Sequence, residues 1–529
     1  MKKRGNSIIL SFVFLLSGII PVAAQPLSSK QVDELVEKAL KTFEVPGIAV
    51  GIIKDGKLIH AKGYGVRSLN TLQKVDENTL FGIASNSKAF TAAALAILVD
   101  EKKLKWDDRV TQYIPEFKMY NPYVTEEFTI RDLLTHRSGL GLGAGDLMMW
   151  PDSNINTKQD IIHGLQYLKP VSSYRTKYDY NNNLYIVAGE VIARVSGMSW
   201  EDFIEQRIMK PLQMANSATS LYRLKDNTNV SAPHCFVDDK LQQISLGWSE
   251  TANAAGGIWS NITDISKWAI MQLDSGRYIY GEKKEKQQLF SQIVQQEMWT
   301  PQTIIPVRGP TPYNTHFSTY GLGWGISDVK GYKQVSHTGG LAGMVTQVTL
   351  IPELNLGIIV LTNQQVGAAF SAITNTIKDG YFNMPKKDRI KEYSDRVKVN
   401  NERAKKATDE VWRVIELQNT WVDDGSYARS VAIYTGNYND PWFGDISITV
   451  KGGKLLYESK KSPRLVGVMC PYKANTFVVK WNDRSLDADA FVVFSLDKNG
   501  KAVGMKMEAI SPATDFSFDF QDLEFKRVE

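Results

Sequence analysis

Residues 81–100 form the stretch that most restricts what this chain can fold into. Between Ala89 and Val99 nearly every position is alanine or a larger apolar residue, so a helix here is apolar on all sides. Such a helix is stable only where other elements cover it all round, as in the middle of a large domain. We therefore predict a buried central helix that ends near Asp100, with the rest of a sizeable domain packed around it.

The start of this helix carries Ser85 and, three positions later, Lys88. Positions i and i+3 share a helix face, so a helix that begins at Ser85 places the lysine amine beside the serine hydroxyl. Burial and the positive end of the helix dipole both favour a neutral lysine, which makes the pair a candidate nucleophile and base. Ser495 and Lys498 repeat the spacing in a polar turn, so only the buried helical setting favours the first pair.

The N-terminal residues have the pattern of an export signal. Three basic residues precede an apolar run at 8–20, and small residues follow up to Ala24. The apolar run is too short to span a bilayer stably, so we predict a signal peptide at residues 1–24 that is cleaved after Ala24. No later stretch is long and apolar enough for a transmembrane helix. We expect a periplasmic or secreted protein with no integral membrane segment after cleavage.

Charge and residue counts exclude several classes of protein. Without the three N-terminal basic residues, 59 Lys and Arg face 57 Asp and Glu, so nothing indicates a nucleic-acid partner. The two cysteines, Cys235 and Cys470, are far apart and do not suggest a disulfide scaffold. The six histidines show no metal-ligand spacing, which argues against a zinc hydrolase. We expect no metal and no other cofactor.

The order of strand and helix patterns predicts one α/β unit with a helical insertion. Strand-like runs at 48–53 and 58–65 flank an Asp55-Gly56 turn, which is a hairpin signal. Four helical patterns follow between 130 and 209, and strand-like runs return at 320–326, 345–351 and 357–362. The junction of the sheet unit and the helical unit is a natural cleft.

Past Met384 the composition changes. Residues 385–424 are rich in charged side chains and predict a connector helix, whereas residues 425–529 alternate short strands with turns and predict a small antiparallel β domain. We find no catalytic constellation in this tail. Because every motif lies before it, we expect the cleft chemistry to remain detectable when the chain after Met384 is deleted.

Tyr180 and Asn182 form a second pattern, at the start of a helical segment. A tyrosine hydroxyl near a cation can relay a proton, and an asparagine amide can hydrogen-bond both Lys88 and a substrate carbonyl. Tyr381 and Asn383 repeat the spacing, so a capping asparagine beside a core tyrosine explains either copy equally well in isolation.

His337, Thr338, Gly339 and Gly340 form a third pattern, just before a strand-like run. A strand of small residues lets a substrate lie against the backbone, and the Gly340 N–H could pair with the Ser85 N–H as an oxyanion hole. Residues 255–260 form a further Gly-rich stretch, which either lines the cleft or is a simple turn.

Together, Ser85-x-x-Lys88, Tyr180-x-Asn182 and His337-Thr338-Gly339 resemble the three motifs of the serine β-lactamase and penicillin-binding-protein superfamily. The resemblance covers about residues 27–380 and is nearest to the branch of class C β-lactamases, D-aminopeptidases, D-alanyl-D-alanine carboxypeptidases and related esterases. It implies an α/β (α+β) fold over residues 25–384, with an antiparallel sheet flanked by helices plus an all-helical subdomain. The tail resembles the lipocalin-like β domain often appended to such enzymes.

The resemblance also implies a role for each motif residue. Ser85 would be the acylated nucleophile and Lys88 its base. Tyr180 would protonate the leaving group and help activate the deacylating water, and Asn182 would orient Lys88 and the substrate. The backbone of Ser85 and Gly340 would hold the oxyanion, with Thr338 and Gly339 on the substrate-binding strand.

His337 departs from the pattern, because β-lactamases of this kind usually have lysine there. A histidine of ordinary pKa is mostly neutral at pH 7, so we expect neutral esters and amides to be better substrates than penicillins. Protonation of His337 toward about pH 5.5 should then restore a cation and favour β-lactams. If another residue binds a substrate carboxylate, Arg137 and Arg175 are the candidates nearest to the motifs in sequence.

The sequence thus predicts an exported serine hydrolase that acts on a small amide or ester, such as a D-amino-acid peptide, an ester or a β-lactam-like molecule. A peptidoglycan-derived peptide is one such substrate. Acyl transfer to an alcohol or amine stays open, with the loop around Met148, Met149 and Trp150 as a seat for an apolar acceptor. A β-lactam-binding sensor or a non-catalytic binding module is the third alternative.

Overall fold

The computed structural model describes residues 25–280, 285–418 and 431–528. The predicted signal peptide lies outside these residues, and so does the predicted boundary between the connector and the β domain. The domain boundaries therefore stay predictions. Within the described ranges, no helix is long and apolar enough to cross a membrane.

Twelve α-helices are present in the described residues. In chain order they are α1 (Ser29–Phe43), α2 (Ser87–Asp100), α3 (Pro122–Glu127), α4 (Ile130–Leu133), α5 (Lys158–Gly164), α6 (Asn183–Ser196), α7 (Trp200–Ile204), α8 (Asn253–Gly256), α9 (Ile262–Leu273), α10 (Gln292–Met298), α11 (Gly367–Tyr381) and α12 (Arg389–Gln418). Helices α4 to α7 occupy the region in which four helical patterns were predicted.

The strands fall into two groups, before and after α12. The first group is β1 (Gly47–Lys54), β2 (Lys57–Gly65), β3 (Phe81–Gly82), β4 (His234–Val237), β5 (Lys240–Gln243), β6 (Trp259–Ser260), β7 (Arg277–Tyr280), β8 (Glu285–Gln288), β9 (Thr303–Ile305), β10 (Ser318–Tyr320), β11 (Gly325–Val329), β12 (Tyr332–Leu341), β13 (Met344–Ile351) and β14 (Leu356–Thr362). The second group is β15 (Gly436–Asp440), β16 (Gly444–Lys451), β17 (Lys454–Ser459), β18 (Val466–Lys473), β19 (Thr476–Trp481), β20 (Ala490–Leu496), β21 (Ala502–Ala509) and β22 (Phe525–Val528).

An eight-stranded antiparallel sheet is the framework of the first domain, in the order β2-β1-β14-β13-β12-β11-β10-β9. The predicted hairpin is present, and Asp55 and Gly56 both have positive φ, as a tight turn between twisted strands requires. Along β1, Ile48, Val50 and Ile52 pack with α1 and α11 on one face, whereas alternate residues face α9 and the larger core. Both faces of the sheet are therefore covered by helices.

The predicted single strand at 320–326 is in fact two strands. A turn at 321–324 separates β10 from β11, and Gly323 adopts φ +78. A Cβ at Gly323 would lie 2.9 Å from the Lys88 carbonyl oxygen, so the turn packs directly on the start of α2. The turn thus brings this part of the sheet against the central helix.

Helix α2 is buried throughout its first twelve residues, from Ser87 to Leu98, which confirms the predicted central helix. It packs against α6, α7, α8 and α10, between the sheet and the helical layer. The helix begins at Ser87 rather than at Ser85, because residues 84–86 form a 3₁₀ turn that leads into it. Ser85 therefore lies in the 3₁₀ turn, two residues before the α-helix and at the junction of the two layers.

The second group of strands forms a closed barrel in which β22 pairs back with β15. Helix α12 leads toward it and packs on its outer surface through Val411 and Ile415. The antiparallel sheet with its helices and the all-β barrel confirm the fold class that the sequence predicted.

Candidate active site

Lys88 holds the centre of the site through three contacts. Its Nζ lies 3.0 Å from Ser85 Oγ, 2.7 Å from Asn182 Oδ1 and 2.8 Å from the carbonyl oxygen of Ala255. The Asn182 and Ala255 oxygens can only accept hydrogen bonds. A neutral amine therefore donates its two hydrogens to these oxygens, and its lone pair is left facing the Ser85 hydroxyl.

The charge state of Lys88 agrees with this geometry. The side chain is completely buried, and burial lowers the pKa of Lys88 to about 7, although the negative charge of Asp146 opposes the shift. The rings of Tyr180 and Tyr185 lie 4.8 and 5.3 Å from its Nζ. The prediction of a lysine that is available as a neutral base near pH 7 is thus supported by its surroundings.

Asn182 stands at the N-cap of α6, directly opposite the start of α2. While its Oδ1 accepts from Lys88, its Nδ2 donates to Asp146 Oδ2 at 2.7 Å. The two bonds fix the orientation of the amide, because the reverse orientation would turn an N–H toward the lysine. The role predicted for Asn182, orienting Lys88, is consistent with these contacts.

Tyr180 contributes a buried hydroxyl to the wall of the cavity. Burial raises the pKa of Tyr180 well above its ordinary value, and the neighbouring Ser85 side chain offsets part of the rise. Among the described residues the hydroxyl has no hydrogen-bond partner of good geometry. It is thus a protonated donor that faces the cavity, where a leaving group could accept its hydrogen bond.

His337 lies on β12 and is neutral for a structural reason. Its Nδ1 is 2.6 Å from the Thr338 carbonyl oxygen and must carry the proton, so its Nε2 accepts from the Tyr320 hydroxyl at 2.8 Å. Burial, reinforced by the charge of Lys88, lowers the pKa of His337 to about 3. The expectation that this residue becomes a cation near pH 5.5 is therefore wrong.

The glycines of β12 let the strand approach the serine turn. A Cβ on Gly339 would lie 2.1 Å from the Ile83 carbonyl oxygen, so only glycine fits there. A Cβ on Gly340 would meet nothing within 4 Å, because this position faces the cavity. Ser85, Thr338 and Gly340 all line that cavity, and the oxyanion role of the two backbone N–H groups stays a prediction.

The cavity in front of Ser85 has a volume of about 620 Å³ and no Lys or Arg among the described residues that line it. Aromatic and apolar side chains supply most of its wall: Met149, Trp150, Tyr178, Trp248, Ile305, Tyr320, Leu341, Val345 and Phe516. Asp515 is the single carboxylate in that lining. Ala255 and Gly256 also line it, so the Gly-rich stretch at 255–260 belongs to the cleft.

Arg137 and Arg175 are not the anion site that the sequence suggested. Arg137 Nε lies 3.0 Å from Asp132 Oδ1, and an Arg175 nitrogen lies 2.6 Å from Asp132 Oδ2. Neither arginine lines the cavity. Both arginines pair with the completely buried carboxylate of Asp132, so their charges neutralise that carboxylate behind the site.

The barrel contributes to the cavity, which the sequence did not predict. Residues 513–519, here called the barrel arm, lie between β21 and β22 and extend to the first domain. Ala513, Asp515, Phe516 and Ser517 line the cavity, and the Phe516 ring lies 5.9 Å from that of Tyr180. The tail therefore forms part of the cleft wall, whereas the detectability of the cleft chemistry after its deletion stays a prediction. The alternation of polar and aromatic residues at 515–520 is the one local signal of a segment that packs elsewhere.

The second Ser-x-x-Lys pair, Ser495 and Lys498, lacks the buried helical environment of Ser85 and Lys88. Ser495 lies on β20 of the barrel rather than before a buried helix, and Lys498 lies in the turn that follows. In the part of the chain that the structure describes, there is no group of three or more His, Cys, Asp or Glu side chains that could hold a metal ion.

Comparison with known proteins gives two matches to family models. The family described as Beta-lactamase matches residues 32–379, and a domain of unknown function, DUF3471, matches residues 424–527. The first match covers the domain built on the eight-stranded sheet, and the second covers the barrel.

Three kinds of relative resemble the chain. "Unguisins hydrolase ungD" of Aspergillus violaceofuscus is 29% identical over 384 residues, which are 68% of this chain and 67% of that protein. "Protein flp" of Staphylococcus aureus is 27% identical over 344 residues, 64% of this chain and 63% of its own. An octameric penicillin-binding protein homologue from Pyrococcus abyssi has a similar fold, with a TM-score of 0.58, 20% identity, and coverage of 94% of this chain and 100% of that one.

Proposed function

Because the chain belongs to the β-lactamase family, whose model spans residues 32–379, we propose that it is a serine hydrolase that cleaves small amides or esters through an acyl-enzyme on Ser85. One observation carries the proposal. A completely buried lysine amine lies 3.0 Å from the Ser85 hydroxyl, with its other two contacts taken by oxygen acceptors. This is the arrangement of a nucleophile with its general base.

The contacts support the following sequence of steps. Lys88 takes the hydroxyl proton as Ser85 Oγ bonds to the substrate carbonyl carbon. The Tyr180 hydroxyl gives a proton to the leaving oxygen or nitrogen as that bond breaks, and Tyr180 recovers a proton from Lys88. Water then attacks the acyl-enzyme with the same groups, which releases the acid and restores Ser85.

The charges around the cavity support a substrate class. No lysine or arginine lines the described wall, and His337 is neutral, so a carboxylate beside the scissile bond finds no cation. Asp515 places a negative charge there instead. We propose that neutral acyl groups and acyl groups that carry an ammonium are preferred to those that carry a carboxylate. Penicillins then become poor substrates.

Acyl transfer is a second candidate, because Met149 and Trp150 line the cavity that holds Ser85. An apolar wall at this position can hold an alcohol or amine long enough to compete with water for the acyl-enzyme. The relative's name, a hydrolase of unguisins, supports hydrolysis as the reaction type for that relative and by similarity for this chain. Export is proposed from the N-terminal sequence alone.

Three p-nitrophenyl esters test the proposal: one with a neutral acyl group, one with an ammonium and one with a carboxylate. We expect steady turnover in the order ammonium, neutral, carboxylate, with the ammonium preference lost in Asp515→Asn. A burst without turnover would indicate a sensor, and a carboxylate preference would contradict the proposed substrate class. Added butanol should yield a butyl ester only if acyl transfer competes. Lys88→Ala should abolish turnover, whereas Lys498→Ala, at the same spacing in the barrel, should not change it.

A further inference from the structure

We propose that Asp146 and Ser517 are positioning residues for the catalytic base: Asp146 fixes the Asn182 amide that holds Lys88, and Ser517 of the barrel arm fixes Asp146. The inference rests on the proposed function, because it concerns the same base. The barrel domain would thereby help to hold the catalytic base in place.

Asp146 connects the two domains directly behind the site. It begins a 3₁₀ turn, Asp146–Met148, and is completely buried. Its Oδ2 accepts a hydrogen bond of 2.7 Å from Asn182 Nδ2 and one of 2.9 Å from Ser517 Oγ. An unbroken chain of hydrogen bonds therefore runs from Ser517 through Asp146 and Asn182 to Lys88.

The barrel arm also holds the turn that carries Asp146. The Asp519 carboxylate accepts from the backbone N–H of Gly145 at 2.6 Å and of Leu147 at 3.0 Å, on either side of Asp146. Asp519 is itself completely buried. The position of Asp146 is thus set by two residues of a segment more than 370 positions away in the sequence.

Asp146 decides which end of the Asn182 amide faces the lysine. A carboxylate can accept only, so it attracts Nδ2 and leaves Oδ1 toward Lys88. Without this acceptor the amide is free to turn, and an N–H that faces Lys88 would repel its hydrogens and compete for its lone pair. A misplaced base loses rate even when the nucleophile is intact.

Asp146 acts through charge as well. Burial raises the pKa of Asp146 to about 7, and its negative charge favours the protonated form of Lys88. Six other titratable groups lie around the pair: Tyr180 just before α6, Tyr185 on α6, His136, His337 on β12, and Asp515 and Asp519 of the barrel arm. Burial keeps both histidines and both tyrosines neutral near pH 7 and raises the pKa of Asp519 well above its usual range. The pKa of Asp146, about 7, therefore lies close to that of Lys88, and its carboxylate is bonded to the amide that holds Lys88.

The test is the pH profile of kcat on the neutral p-nitrophenyl ester, in the full chain. Asp146→Asn keeps an oxygen acceptor for Asn182 but removes the charge, so the acid limb should move to lower pH by about one unit. Ser517→Ala removes a donor that favours ionised Asp146, so the limb should move the same way by less, and Ser517→Thr should restore it. Ser511→Ala, a serine near the arm whose hydroxyl accepts from Ala513 N–H instead, should leave the profile unchanged.

Unchanged limbs in both Asp146→Asn and Ser517→Ala would overturn the proposal. If Asp146→Asn does not fold, Ser517→Ala makes the same test. Labelling of Ser85 by a fluorophosphonate is the separate readout for the proposed function. If the wild type turns over substrate but Ser85 is not labelled, the proposed function is refuted. If Ser85 is labelled but the acid limbs of the two variants do not move, only the positioning role is refuted.

Discussion

The Ser517 hydroxyl donates a 2.9 Å hydrogen bond to Asp146, across 371 positions of the chain. Because Asp146 holds the Asn182 amide and Asn182 holds Lys88, this bond connects the barrel to the base of the hydrolase domain. The barrel is thus part of the wall and the support of the site, rather than an appended module at a distance from it.

Removal of the barrel should therefore impair catalysis. We expect truncation after Met384 to lower kcat/KM on the neutral ester by about 100-fold or more, because the base loses its support and the cavity loses a wall. Replacement of residues 513–517 by glycines, with the barrel kept, should have a similar effect. Circular dichroism verifies that each variant is folded. A folded truncation with activity within a few-fold of wild type would show that the barrel is dispensable.

The activity should follow the titration of Lys88. Its folded pKa is lowered from 10.5 to about 7 by burial, so the neutral, reactive amine is lost as pH falls through about 7 and is present above it. We expect kcat on a neutral ester to rise with pH through about 7 and then level off. A pH series at saturating substrate measures this. A flat profile between pH 6 and 8 would mean that Lys88 does not act as the base.

His337 should contribute nothing to this titration. Since burial lowers its pKa to about 3, it stays neutral from pH 5 to 7. The ratio of β-lactam to neutral-ester turnover should then be constant over this interval, instead of rising as pH falls. Parallel assays with a chromogenic cephalosporin and the neutral ester measure the ratio. A several-fold rise toward pH 5.5 would show that His337 is charged there after all.

Asp132 should stabilise the fold behind the site. Burial alone would raise its pKa, but hydrogen bonds from Arg175, Thr129 and Tyr174 and the charge of Arg137 lower it to about 2. Its folded pKa lies below the unfolded value, so this stability is present above about pH 4 and is lost as pH falls toward 2. We expect Asp132→Asn to cost about 3 kcal/mol in urea unfolding at pH 7.

Asp107→Asn is the matched control for that loss. Asp107 pairs with Arg131, but its side chain is 73% exposed, so its removal should cost less than about 1 kcal/mol. Equal losses in the free energy of unfolding would show that the buried ion pairs of Asp132 stabilise the fold no more than an exposed pair does.

The parts of the site that sequence predicts are those set by local geometry. Ser85 and Lys88 are three residues apart at the start of a buried helix, and helical spacing alone brings their side chains together. The apolar run that follows requires burial, and burial in turn lowers the lysine pKa. Asn182 could be placed opposite them only through the family resemblance, since its contact with Lys88 spans 94 positions.

The parts that sequence misses depend on contacts between distant segments. His337 is held neutral by burial and by its bond to Tyr320 on a neighbouring part of the sheet, and no local pattern encodes that burial. Asp146 follows a Gly-rich stretch at 139–145, in which no local pattern indicates a buried carboxylate. Ser517 and Asp519 lie in a barrel loop, and only the packing of the two domains brings them to the site.

The most direct measurement of the central claim is the position of the covalent adduct. The enzyme is treated with a fluorophosphonate or a slowly hydrolysed ester, digested, and mapped by peptide mass spectrometry. We predict a single adduct on Ser85, formed at a rate that rises with pH through about 7, absent in Ser85→Ala and strongly slowed in Lys88→Ala. An adduct on another residue, or labelling that persists in Ser85→Ala, would contradict the assignment of Ser85 as the nucleophile.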